Sequence, residues 1–180
     1  MLPISTDFQQ DYFALFNLPL RFQIDSNALE QHYRALQTQV HPDKFSHLFQ
    51  SEQRLSMQWA TRVNEAYQTL HSPLARGRYL LSLHGVDTQE DTNTAMPLDF
   101  LMQQMELREV LEAARQNKDM AALDEMEAQV KQTVSELQQK LALELDEKQD
   151  YATASGLVRK LKFMEKVAEE IGAAFDELDS

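Results

Sequence analysis

The stretch QVHPDKFSHLF, residues 39–49, decides how the first half of the chain folds, because it lies between two helical patterns. Pro42 pushes His41 out of the α region, so a helix arriving from the N-terminal side must stop near Val40. A turn asks for the proline, and Asp43 can cap the next turn. Turn chemistry gives no role to His41.

Upstream, IDSNALEQHYRALQTQV (24–40) offers Asp25, Ser26 and Asn27 as N-caps. Leu29, Tyr33, Leu36 and Val40 then recur at helical spacing. Downstream, Leu55, Trp59, Val63, Ala66 and Leu70 make a second stripe. The pattern predicts two antiparallel helices around a loop of about a dozen residues, a length usually reserved for functional or disordered segments. DYFALF (11–16) reads as a short helix that Asn17 to Pro19 ends. PLARGRYLLSLHG (73–85) reads as a closing helix that stops at Gly85, with Leu74, Tyr79, Leu80 and Leu83 extending the core.

Residues 86–96, VDTQEDTNTAM, are polar and aperiodic and read as a linker or exposed connection, placing one domain at 1–85 and another at 97–180. Pro97 suits the start of a helix that runs to about Asn117. A second helix comes next, with Leu123, Met126, Val130, Val134, Leu137, Leu141 and Leu145 on one face. A third carries Leu157, Leu161, Met164, Ala168, Ile171, Phe175 and Leu178. Short connections between three helices imply an antiparallel bundle, and the fold class expected for the whole chain is all-α.

Composition narrows the chemistry. The 180 residues contain no cysteine, which excludes disulfides, thiolate metal sites and thiol catalysis. The net charge of −12 is placed entirely in the second half: residues 1–86 carry seven acids and seven bases, residues 87–180 carry 22 acids and ten bases. So acidic a half repels phosphate backbones and favours a protein partner over nucleic acid. No charged leader or long apolar run is present, so the expectation is a cytoplasmic protein with no membrane contact.

Three readings of residues 41–43 compete. The first is a helix-ending turn. The second is a metal site recruiting His41, Asp43 and His47, as in a metal-dependent hydrolase, although zinc usually takes three or four convergent ligands. The third is acid–base chemistry between His41 and Asp43, but no serine-centred elbow, phosphate loop or matched carboxylate pair completes a mechanism. The chain is therefore read as a non-enzyme without a cofactor.

Context favours another role. His41-Pro42-Asp43-Lys44 after the second helix, Asn64-Glu65-Ala66-Tyr67 and Leu70 on the third, and Arg76 in the closing helix stand in the order of the J domain of DnaJ-class co-chaperones, which residues 1–85 resemble. The resemblance implies that His41, Pro42 and Asp43 touch a DnaK-type (heat-shock seventy) chaperone and trigger its ATP hydrolysis. J domains commonly dock through a basic second helix; this one offers Arg34, with His32 and Lys44 nearby. Val40 stands where the family often has tyrosine, a change that bears on packing.

RYLLSLHG (78–85), LDFLMQQMELREVLE (98–112) and LVRKLKFMEKV (157–167) resemble the J-domain co-chaperones of bacterial iron–sulfur cluster assembly. That resemblance implies a dedicated HscA-like chaperone and an IscU-like scaffold protein as partners. It puts the scaffold contact on Leu101, Met102, Met105, Glu106, Glu109 and Phe163. A J protein serving another client is the alternative.

The helix geometry can be read separately. At about 100° per residue, Phe100, Leu107, Leu111 and Ala114 share one side and should face the core. Leu98, Leu101, Met102 and Met105 lie roughly opposite, bordered by Glu106, Glu109 and Glu112, and Phe163 is expected on the same surface. The competing expectation is that a bundle helix with two neighbours buries a wide apolar face.

Overall fold

The computed structural model describes residues 9–41, 50–89 and 97–178. The fold is all-α, with no strand among the described residues. Two compact units divide the chain, Met1–Leu80 and Leu81–Ser180.

The first unit is built on α2 (Ser26–Val40) and α3 (Gln50–His71), preceded by the short α1 (Tyr12–Leu15). The Asp25 carboxylate starts α2 by accepting from the backbone N–H groups of Asn27 and Ala28, the usual way to satisfy donors that a first turn leaves open. Tyr33 meets Tyr67 and Val40 meets Ser56, so the two helices run antiparallel. Their seam buries Leu29, Val40, Trp59, Val63, Ala66 and Leu70, with Phe13, Phe16 and Phe22 packed into the same core. Leu55 is half-buried, and the fully buried neighbour is Ser56.

Helix α4 (Pro73–Leu83) begins just after α3. Arg76 is buried there; its Nη1 donates to the Leu70 carbonyl at 2.6 Å, and its guanidinium lies 4.9 Å from the centre of the Phe22 ring. The turn after α4 needs Gly85, whose φ of +74° is a left-handed conformation costly for other residues. The expected core residue Leu83 is exposed, because it falls in the last turn; Leu81 is buried instead. The connection after this turn is not exposed throughout. Thr88 is buried and its carbonyl accepts from Arg159 Nη1 at 3.0 Å.

In the second unit, α5 (Leu98–Asn117), α6 (Met120–Ala142) and α7 (Tyr151–Leu178) form an up–down–up bundle. Lys118, at φ 53°, ends α5, and Asp119 at once caps α6 by accepting from Ala122 N–H at 3.1 Å. Leu123, Met126, Val130, Leu137 and Leu141 fill the inner face of α6, with Val134 half-buried. A π-helical turn, Leu143–Lys148, continues from α6 and keeps Leu145 buried. The buried Glu144 in that turn is held by Lys148 Nζ at 2.7 Å.

On α7 the buried face differs from the expected alternation. Leu161, Met164 and Ile171 are in the core, but so are Ala154, Val158, Val167 and Ala174, whereas Ala168 is exposed and Leu157 and Phe175 are half-buried. Small residues sit where helices approach closely, since the spacing between axes depends on the side chains at the contact. A reading weighted to large apolar side chains passes over them.

Asp150 caps α7 through Thr153, accepting from its N–H at 3.0 Å and its hydroxyl at 2.7 Å. The N–H bond is the main cause that holds this carboxyl below the usual carboxylate range. The lowered folded value means that the cap's stabilisation is complete above the unfolded value, about 3.9, and is lost as pH falls through the folded one. Asp150→Asn should therefore flatten the acid limb of stability, measured as urea midpoints between about pH 5 and pH 2; an unchanged acid limb would refute the cap's role.

Candidate functional site

Two surfaces carry the residues singled out by sequence. The first is the C-terminal end of α2. His41 has φ −59° and ψ 124°, outside the helix as Pro42 requires, and its side chain is exposed. Pro42, Asp43, Lys44 and His47 lie outside the described residues.

The group that fixes this end is on α3. Ser56, fully buried, donates its hydroxyl to the Val40 carbonyl at 2.7 Å. Val40 is the last residue of α2, so this carbonyl is one that helix geometry leaves without an intrahelical partner. One turn and more back along α2, Tyr33 stacks on Tyr67 with ring centres 4.0 Å apart and donates to Asn64 Oδ1 at 3.0 Å. The motif residues of α3 thus have structural duties: Asn64 and Tyr67 grip Tyr33, while Ala66 and Leu70 fill the core.

Arg34 is exposed and pairs with Glu30 one turn earlier. An exposed pair of this spacing contributes about 0.3–0.5 kcal/mol, so it opens readily to another carboxylate. His32 is different. Its Nδ1 donates to the Phe16 carbonyl, tying α2 to the end of α1, so it has a structural duty as well.

The second surface is the N-terminal half of α5. Phe100, Leu111 and Ala114 are buried and Leu107 is half-buried. Met102 and Met105 are 55% and 63% exposed, Leu101 is 37% exposed, and Leu98 also faces solvent. Glu106, Glu109 and Glu112 are exposed around them. The apolar stripe is therefore a surface, and the wide buried face is not what α5 presents.

Phe163 on α7 is half-buried, less open than expected, because its ring packs edge-on against Phe100 with centres 5.6 Å apart. Val110, 47% exposed on another side of α5, is an apolar surface residue that the stripe did not predict. Among the described residues no group of His, Cys, Asp and Glu could hold a metal ion, and no helix is long and apolar enough to cross a membrane.

Sequence reasoning missed Ser56 because it is polar, although it stands three residues before Trp59 on the same stripe. That position was the available signal.

The chain is similar over nearly its whole length to known proteins. Residues 96–172 match the family model described as the HSCB C-terminal oligomerisation domain. The curated co-chaperone protein HscB homolog of Aromatoleum aromaticum is 49% identical over 98% of this chain and 100% of its own length. Among solved structures, the chaperone HscB from Vibrio cholerae is 36% identical with a TM-score of 0.84, covering 94% of this chain and 99% of its own. Human co-chaperone protein HscB is 35% identical with a TM-score of 0.88, covering 94% and 84%.

Ser56→Ala should cost about 1–3 kcal/mol, the penalty for stranding a buried acceptor, read from urea unfolding. Amide exchange should quicken at the end of α2 before it does in the bundle.

Proposed function

The chain belongs to the HscB family of co-chaperones, and from that premise we propose that it stimulates ATP hydrolysis by a dedicated DnaK-type, HscA-like chaperone and delivers to it an IscU-like iron–sulfur scaffold protein. The chaperone then grips the scaffold and favours cluster transfer. The protein works in the cytoplasm and catalyses nothing itself; the nucleotide chemistry belongs to its partner. Residues 1–85 are the J domain, 86–96 the connection and 97–180 the scaffold-binding bundle.

The observation that carries the first half of this reading is His41, extended and exposed at the end of a helix whose final carbonyl is held by Ser56. A group presented on a rigid helix pair loses little freedom on binding. His41, Pro42, Asp43 and Lys44 form the chaperone contact, with Arg34 exchanging its surface partner Glu30 for a carboxylate of the chaperone.

The second half rests on the exposed stripe. Leu101, Met102 and Met105, edged by Glu106 and Glu109 and completed by Phe163, give an adaptable apolar centre with a charged border, the make-up of a protein interface. Met105 is the centre of the scaffold contact.

Single-turnover ATP hydrolysis by the DnaK-type chaperone, with scaffold present, tests the first contact. Asp43→Asn and His41→Gln should abolish stimulation, while the stability of His41→Gln stays within about 0.5 kcal/mol of the intact protein. Full stimulation by either variant defeats the assignment. For the second contact, Met105→Ala should weaken scaffold binding about tenfold, or about 1.4 kcal/mol, at unchanged helix content. If binding is kept while the melting temperature drops by several degrees, Met105 serves the fold.

A further inference from the structure

In a bundle where acids outnumber bases by 22 to ten over residues 87–180, cations should find carboxylates easily. Several do: Lys131 pairs with Glu127, Lys148 with Glu144, and Arg115 approaches Glu177 while donating to the Glu170 carbonyl. Arg108 and Lys160 do not. Among the described residues neither forms an ion pair or a hydrogen bond.

Both lie on aromatic rings instead. The Arg108 guanidinium sits 6.0 Å from the centre of Phe163, and Lys160 Nζ sits 5.2 Å from the centre of Phe100. These are the two rings of the edge-to-face pair that joins α5 to α7. A ring face attracts a cation electrostatically but does not take up its N–H donors, five on a guanidinium and three on an ammonium. The rings thus hold two positive groups in place with their hydrogen-bonding capacity unspent.

Their position on the surface gives this meaning. At about 100° per residue, Arg108 lies on the side of α5 that Arg115 turns toward α7, next to Leu101 and Met105. On the same count Glu106 lies beyond Met102, Glu109 between Leu98 and Met102, and Glu112 between Leu101 and Met105. The apolar patch is therefore threaded with carboxylates on α5, while the two cations stand at the seam with α7.

We propose that Arg108 and Lys160 form a cationic clamp over the Phe100–Phe163 pair that receives a carboxylate of the docked scaffold protein. This rests on the scaffold-binding reading of α5. The occupant is a segment with apolar side chains for Leu101 and Met105, an acid for the clamp and a base for Glu106 and Glu109. Because the rings fix the cations beforehand, less side-chain freedom is lost when the carboxylate arrives.

The test is titration of the full-length protein with the scaffold at about 0.05 M and about 0.5 M salt, where screening differs strongly. The Arg108→Gln/Lys160→Gln double variant should bind about tenfold more weakly at low salt, with the deficit shrinking at high salt. Arg108→Lys and Lys160→Arg, which keep the charges, should retain most of the affinity. Met105→Ala, an apolar loss, should be weakened equally at both salts.

If Met105→Ala is weakened but the double variant binds like the intact protein, the clamp is wrong and the scaffold reading stands. No binding by the intact protein takes down both. A double variant that changes the sedimentation of the protein alone points to a second copy of the chain as the bearer of the carboxylate, and overturns the proposal. Should the double variant fail to fold, Lys160→Gln alone, checked by circular dichroism, decides the question by the same salt comparison.

Discussion

The bond from Ser56 Oγ to the Val40 carbonyl lets α2 stop where it does. A helix that ends inside a protein leaves carbonyls without partners, and each must be answered. Here the answer comes from the neighbouring helix, so the end of α2 is fixed to α3 by a buried polar contact as well as by apolar packing. The same demand is met elsewhere by other means: Arg76 reaches the Leu70 carbonyl near the end of α3, and Lys118 turns left-handed after α5. At the opposite ends, where N–H groups are left open, the Asp119 and Asp150 carboxylates accept from the first turns of α6 and α7. Termination of helices, more than their formation, sets the shape of each unit.

Much of this was legible in the sequence because the stripes on α2, α3 and α6 are made of large apolar residues at regular spacing. Leu29, Val40, Trp59, Val63, Leu70, Leu123, Met126 and Leu141 are all buried as read. The exposed stripe on α5 was also legible, since Leu101, Met102 and Met105 stand opposite Phe100, Leu111 and Ala114 on the helical wheel. The residues that escaped were those whose role depends on another element. Ser56 looks like a surface serine until the Val40 carbonyl is placed beside it. Ala154 and Ala174 look neutral until α7 is packed. The tie from His32 to α1 is invisible until the Phe16 carbonyl is placed beside its ring. The π turn at Leu143–Lys148 breaks the count of residues per turn without any glycine or proline to announce it.

The two units divide their electrostatics differently. The first is neutral, and polar contacts tie its elements together: Tyr33 with Asn64, His32 with Phe16, Arg62 Nη2 with the Gln10 carbonyl at 2.7 Å. The second is strongly acidic, yet the cations it has are gathered preferentially on α7 and the facing edge of α5. That arrangement leaves the bundle soluble through its net charge while keeping an apolar patch in view, a combination that restrains nonspecific association.

The thioethers of this chain are sorted by exposure. Met126 and Met164 are buried, whereas Met102 and Met105 stand in solvent. Oxidants convert an accessible methionine to a polar, chiral sulfoxide. Chemical damage of that kind would reach Met102 and Met105 on α5, and Met57 on α3, before the buried Met126 and Met164, so it would alter exposed apolar groups ahead of the core. Because that lesion is enzymatically reversible, the exposed stripe of α5 can be spoiled and repaired without unfolding the core that Met126 and Met164 help to fill.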